Sequence, residues 1–102
     1  MKECCRQFLA DQFGGDEDVM NEIYGEYASS VGEKLAEARE CLAKGDWPVL
    51  DRIAHTLKGN SLAAGDTEMA DNAIELRKAA ALGDVPECEA RISAMAELSK
   101  LL

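Results

Sequence analysis

At four places in this chain a glycine is followed directly by an aspartate: Gly15-Asp16, Gly45-Asp46, Gly65-Asp66 and Gly83-Asp84. Glycine readily takes the left-handed conformation that ends a helix, and the aspartate then offers a carboxylate to the free N–H groups that open the next one. In Gly45-Asp46-Trp47-Pro48 and Gly83-Asp84-Val85-Pro86, a proline falls in the first turn of the following helix, where its missing N–H does no harm. A chain punctuated in this way reads as a series of helices joined by tight turns.

Between the breaks, apolar residues recur at helical spacing. The pattern predicts a short first helix over 3–13, with Phe8, Leu9 and Phe13 inward. A long second helix over 16–44 turns Val19, Ile23, Tyr27, Val31, Leu35, Ala38 and Leu42 to one side. A third over 47–64 lines up Leu50, Ile53, Ala54, Leu57, Ser61 and Ala64, and Trp47 is expected to anchor the turn into it. A fourth over 67–82 carries Met69, Ala73, Leu76 and Ala80; a fifth over 85–101 carries Val85, Cys88, Ile92, Met95 and Leu98. Nothing reads as a strand. Short connections force neighbouring helices antiparallel. The expected fold is therefore all-α: an up-down-up-down antiparallel four-helix bundle, with the short N-terminal helix as a lid. The length of 102 residues suits one domain over 1–102.

Charge narrows the function. With 11 Lys and Arg against 20 Asp and Glu the net charge is −9, which argues against nucleic acid and against anionic membrane surfaces as partners. No apolar run approaches the ~20 residues that cross a bilayer. The start, Met1-Lys2-Glu3-Cys4-Cys5, lacks the apolar core of a signal peptide, so a cytoplasmic location is expected. Cys4, Cys5, Cys41 and Cys88 form no C-x-x-C pair, and a single histidine cannot complete a zinc set, so no metal is expected. Cys41 and Cys88 read as small apolar fillers near the core. The adjacent Cys4 and Cys5 could bind a metal or oxidise, a weaker reading.

That single histidine is the chemically informative residue. His55 lies two positions from both Ile53 and Leu57, about 200° around the helix from each, so it points away from the core. Asp51, Lys58, Gly59 and Leu62 share its outward face. A solvent-exposed imidazole, with a reference pKa near 6.5, is mostly neutral in the cytosol and is a nucleophile. It can attack a phosphoryl group and later pass that group on. Lys58, within one turn, can offset the charge of the phosphoryl oxygens. Glycine inside a helix costs roughly 1 kcal/mol relative to alanine; on an outer face its use is to let something large approach. Leu62 offers a small apolar contact to a docked protein.

The run His55-x-Leu57-Lys58-Gly59-x-Ser61-x-x-x-Gly65 resembles the signature of histidine-containing phosphotransfer (HPt) domains of two-component phosphorelays. Phe13-Gly14-Gly15-Asp16, Ala43-Lys44-Gly45-Asp46-Trp47 and Gly83-Asp84 extend the resemblance over nearly the whole chain. The resemblance implies that His55 accepts the phosphoryl group at Nε2, that Lys58 neutralises it, and that Gly59 leaves room for the partner. It implies a response-regulator receiver domain and/or a hybrid histidine kinase as partner, a monomeric carrier with no cofactor or kinase activity of its own, and magnesium on the receiver. Two departures stand out. Asp66, expected as a helix cap, follows Gly65 where relatives often have a small apolar residue. Arg77 occupies the fourth-helix position facing the histidine, where relatives often carry Gln or Glu; a second cation near the phosphoryl group is expected from it. The rival readings are an HPt-like interaction module that carries no phosphate, and the phosphoacceptor domain of a larger histidine kinase.

Overall fold

The computed structural model describes residues 1–102, which form five α-helices and no strand: α1 (Glu3–Phe13), α2 (Glu17–Lys44), α3 (Trp47–Ala63), α4 (Thr67–Ala81) and α5 (Val85–Ser99). The Gly-Asp pairs work as anticipated. The carboxylates of Asp16, Asp46, Asp66 and Asp84 accept hydrogen bonds from the backbone N–H of Val19, Val49, Met69 and Glu87, respectively. Pro48 and Pro86 lie in the first turns of α3 and α5.

The longest dimension of the molecule is 42 Å, which is the length expected of α2 alone, since 28 residues at 1.5 Å per residue span about 42 Å. α1, α3 and α5 pack against it, and α4 packs against α3 and α5. α2 contacts α3, α3 contacts α4, α4 contacts α5, and α5 returns to α2, closing a ring of pairwise contacts. Leu50, Leu57, Met69, Leu76, Cys88, Ile92 and Met95 fill the interior. The pairing of α3 with α4 is the most extensive in the molecule. Alanine faces at Ala54, Ala70, Ala73 and Ala80 are buried, and such small side chains let two helices approach closely.

Two inward expectations are overturned. Phe13 is 42% exposed and Val85 is 40% exposed. Both sit in terminal turns: Phe13 is the last residue of α1, and Val85, the first of α5, borders an open depression beside Leu42 and Ala43 of α2. Of the cysteines, Cys88 is buried in the core and Cys41 packs half-buried against it. Cys4 is exposed, whereas burial, together with the charge of Cys4, pushes the thiol of Cys5 up to about 12, far from the thiolate needed for metal or redox chemistry.

Asp66 does more than cap. It is wholly buried, and its carboxylate is met by Lys2 Nζ at 2.8 Å and by the Tyr27 hydroxyl at 2.7 Å. The backbone N–H of Lys2 in turn donates to Tyr24 Oη, at 3.3 Å. A buried carboxylate is tolerable only when paired and hydrogen-bonded, and here the partners come from the N-terminal segment, from α2 and from the start of α4. Phe8 closes the same region: Gly65 has φ +75°, and a Cβ there would collide with the Phe8 side chain. α1 is thereby fastened over the α3–α4 turn.

These groups make the fold sensitive to alkali. Burial above all pushes the phenols of Tyr24 and Tyr27 above the ordinary 10.0, with the Asp66 carboxylate adding to the effect. Burial opposes the charge on Lys2, but the hydrogen bond and charge of Asp66 outweigh it and hold its pKa above 10.5. All three bind their protons more tightly folded than unfolded, so their stabilisation is complete below pH 10.0 and falls as pH rises beyond it. Urea midpoints measured across that range should drop more shallowly for Tyr27→Phe than for the native chain. At neutral pH, Asp66→Ala should cost roughly 2–4 kcal/mol in urea denaturation, since it removes a cap, leaves Lys2 without its carboxylate and leaves Tyr27 only the 3.4 Å bond to Ser61 Oγ.

Candidate functional site

The register of α3 decides what faces water. Leu50, Ile53, Ala54, Leu57 and Ser61 are buried, which leaves the arc through Asp51, His55, Gly59 and Leu62 on the outside. His55 is exposed, as is Gly59, and Leu62 is 49% exposed at the far end of the helix. Ser61 turns its hydroxyl back to the carbonyl of Leu57 at 2.6 Å, so it serves the helix and not the surface.

α4 brings a second set of residues to the same place. His55 and Arg77 each stand eleven residues from Asp66, on opposite sides of the turn. Folding at that turn sets them side by side: Arg77 Nη1 lies 3.2 Å from His55 Nδ1. A guanidinium has five donors and no acceptor, so the bond runs from Arg77 to the Nδ1 lone pair. The same guanidinium donates through Nε to Asp51 Oδ1 at 2.9 Å. Its two arms therefore grip one turn of α3, from Asp51 to His55. The pair is about half exposed, with 44% and 40% of the two side chains accessible, and such pairs contribute at most about 1 kcal/mol. Its interest is geometric.

Lys58 stands one turn further along α3, half-buried, and differs from the other lysines. Lys2, Lys34, Lys44, Lys78 and Lys100 each pair with a carboxylate, while Lys58 pairs with none. It lines an open depression of about 450 Å³ between α3 and α4, together with Asp51, Ile74, Arg77, Lys78 and Ala81. Three cations line it against the carboxylate of Asp51, with Glu75 paired to Lys78 beside them, which leaves one positive charge in excess on a chain of net charge −9. An anionic group arriving beside His55 would meet one uncommitted ammonium and one guanidinium.

Gly59 has open space where a Cβ would stand. Its missing side chain serves no packing inside the molecule, so the bare backbone beside His55 is presented outward. The other predicted site residues separate into two groups. Asp51, His55, Lys58 and Arg77 converge on the α3–α4 seam, whereas Gly59 and Leu62 continue the exposed face toward the α3–α4 turn. Asp51 is engaged by Arg77 through one carboxylate oxygen, with 40% of its side chain still accessible. Ile74 and Lys78 were not among the residues anticipated from sequence; Ile74, three back from Arg77, and Lys78, four on from Ile74, follow from helical spacing once Arg77 is set against His55. No three His, Cys, Asp or Glu side chains come together in a way that could hold a metal ion.

A family model described as Hpt domain matches residues 22–102, from within α2 to the last residue, leaving α1 outside the match. No curated protein and no solved structure gives a significant match. With nothing packed against it, Gly59 carries only a propensity penalty. Gly59→Ala should raise stability by up to about 1 kcal/mol in thermal or urea denaturation. A loss of stability would mean that the outer face of α3 is covered within the folded chain.

Proposed function

The chain belongs to the Hpt domain family, whose members carry out histidine-containing phosphotransfer in two-component systems, and we propose that His55 is its phosphoacceptor. The observation that carries this reading is a sole histidine, exposed on α3, with an unpaired lysine one turn away and an unobstructed glycine backbone beside it. In this reading Nε2 takes the phosphoryl group from an aspartyl phosphate of a receiver domain and returns it to another receiver. The nitrogen–phosphorus bond forms as the acyl-phosphate bond breaks, leaving the receiver's aspartate as a carboxylate. Phosphoryl transfer needs positioning and charge neutralisation more than covalent machinery. Lys58 supplies the charge from this chain, and magnesium belongs to the receiver.

The ring of helix contacts and the short Gly-Asp connections support an up-down-up-down order for α2 to α5, an arrangement that holds α3 rigid and leaves one face of it free. Gly59 and Leu62 extend that face as the surface on which the receiver docks. The carrier acts as a monomer in the cytoplasm, without a cofactor of its own. No helix is long and apolar enough to cross a membrane.

His55→Gln should keep the helical spectrum and melting temperature of the native chain while taking up no acid-labile phosphate from a phosphorylated receiver. Uptake by that variant would overturn the assignment. Gly59→Glu should retain the fold and slow uptake at least tenfold, because a bulky anion then stands where the partner must approach. Early transfer rates across a panel of phosphorylated receivers read both effects.

A further inference from the structure

We infer that Arg77 is a positioning residue that keeps the lone pair of His55 on Nδ1, and so restrains phosphoryl transfer at Nε2 until its guanidinium is drawn away. The inference rests on the phosphocarrier reading of His55 and concerns how that site is controlled.

The argument starts from which atoms can donate. A neutral imidazole has one N–H and one lone pair. Arg77 cannot be deprotonated and has no acceptor, so with Nη1 at 3.2 Å from Nδ1, that nitrogen holds the lone pair and Nε2 holds the proton. No other hydrogen bond reaches the ring from within the chain, so nothing opposes Arg77 in choosing the tautomer. Asp51 keeps the guanidinium in place through the 2.9 Å bond to Nε.

That tautomer is the wrong one for attack through Nε2. The electron pair that makes the new bond to phosphorus has to be on Nε2, so the ring proton must first move to Nδ1, through water. Attack then forms the Nε2–P bond and breaks the P–O bond of the acyl phosphate, whose electrons leave with the receiver's carboxylate. The ring is briefly an imidazolium and gives its Nδ1 proton to solvent. In the loaded form Nδ1 again holds a lone pair that Arg77 can occupy. Release follows the same path backward: Nδ1 gains a proton, and the ring departs as a neutral imidazole. A donor fixed on Nδ1 thus stabilises both resting forms relative to the transition state between them. It slows transfer in both directions.

The restraint carries its own release. The pair with Asp51 is half exposed and weak. Phosphoryl oxygens offer a guanidinium a fork-shaped, doubly charged acceptor, which outcompetes one carboxylate. An incoming phosphoryl group can therefore take Arg77 off Nδ1 as it arrives.

Two readouts test this. Nitrogen-15 spectra of the His55 ring at about pH 8.5, where imidazoles are neutral, should show the Nε2–H tautomer in the native chain. They should show a shift toward Nδ1–H in Arg77→Met, and a larger one in Arg77→Gln, whose amide oxygen can accept from Nδ1. Single-turnover loading from a phosphorylated receiver, and return to it, should both speed up roughly two- to tenfold in these variants, the scale of one hydrogen bond. Phosphohistidine should hydrolyse correspondingly faster. Arg77 is exposed, so neither variant should alter the melting temperature appreciably. A native Nδ1–H tautomer, or loading that slows or stays constant on removal of Arg77, overturns the inference; slowing would instead mark Arg77 as a cation that assists the phosphoryl group. Failure of the native chain to load at all would sink the phosphocarrier reading and the kinetic half of this one. The spectra would still decide whether Arg77 sets the tautomer.

Discussion

A carboxylate removed entirely from water has to be answered by other groups, and in this molecule the answer organises everything around it. Asp66 draws Lys2 from the N-terminal segment and Tyr27 from α2, and caps α4 with its remaining capacity. No buried side-chain polar atom in the chain is left without a partner. The turn between α3 and α4 is pinned as a result, and with it the offset of one helix against the other. Since His55 and Arg77 stand equally far from that turn, pinning it also aligns them. A structural ion pair at one end thus determines the chemical surroundings of an imidazole about three helical turns away.

The electrostatics of the site run against those of the whole. An acidic chain is repelled by other polyanions, yet the α3–α4 seam collects Lys58, Arg77 and Lys78. Such an arrangement discourages general association with anionic surfaces while favouring a small, dense negative charge delivered to one spot. Two of these cations are already committed, Arg77 to Asp51 and Lys78 to Glu75. Of the three, Lys58 alone has no carboxylate partner.

The helix boundaries were legible because the chain states them twice, with a glycine that stops one helix and an aspartate that starts the next. The expected spans of 16–44, 47–64, 67–82 and 85–101 differ from Glu17–Lys44, Trp47–Ala63, Thr67–Ala81 and Val85–Ser99 by no more than two residues at any end. The outward direction of His55 followed from the buried stripe of its own helix, a local property. What periodicity could not supply was anything that depends on two distant segments meeting. The partner of Asp66 is sixty-four residues away in Lys2, and the partner of Asp51 is twenty-six residues away in Arg77. Phe13 and Val85 stand exposed for a related reason: a helical phase says which way a residue points, not how closely the neighbouring helix approaches it.

The clasp between Lys2 and Asp66 also ties the N-terminal segment to the part of the chain that the family model covers. The family match starts at residue 22, so a polypeptide trimmed to that boundary would retain every group near His55 and lose the one ammonium that balances Asp66. The orphaned carboxylate would then have only the Tyr27 hydroxyl and its own helix N-terminus for company, and the adjacent Gly65 would lose the Phe8 side chain packed against it. The packing of this protein therefore takes in residues that lie N-terminal to the family match, held to it by Lys2 and Phe8.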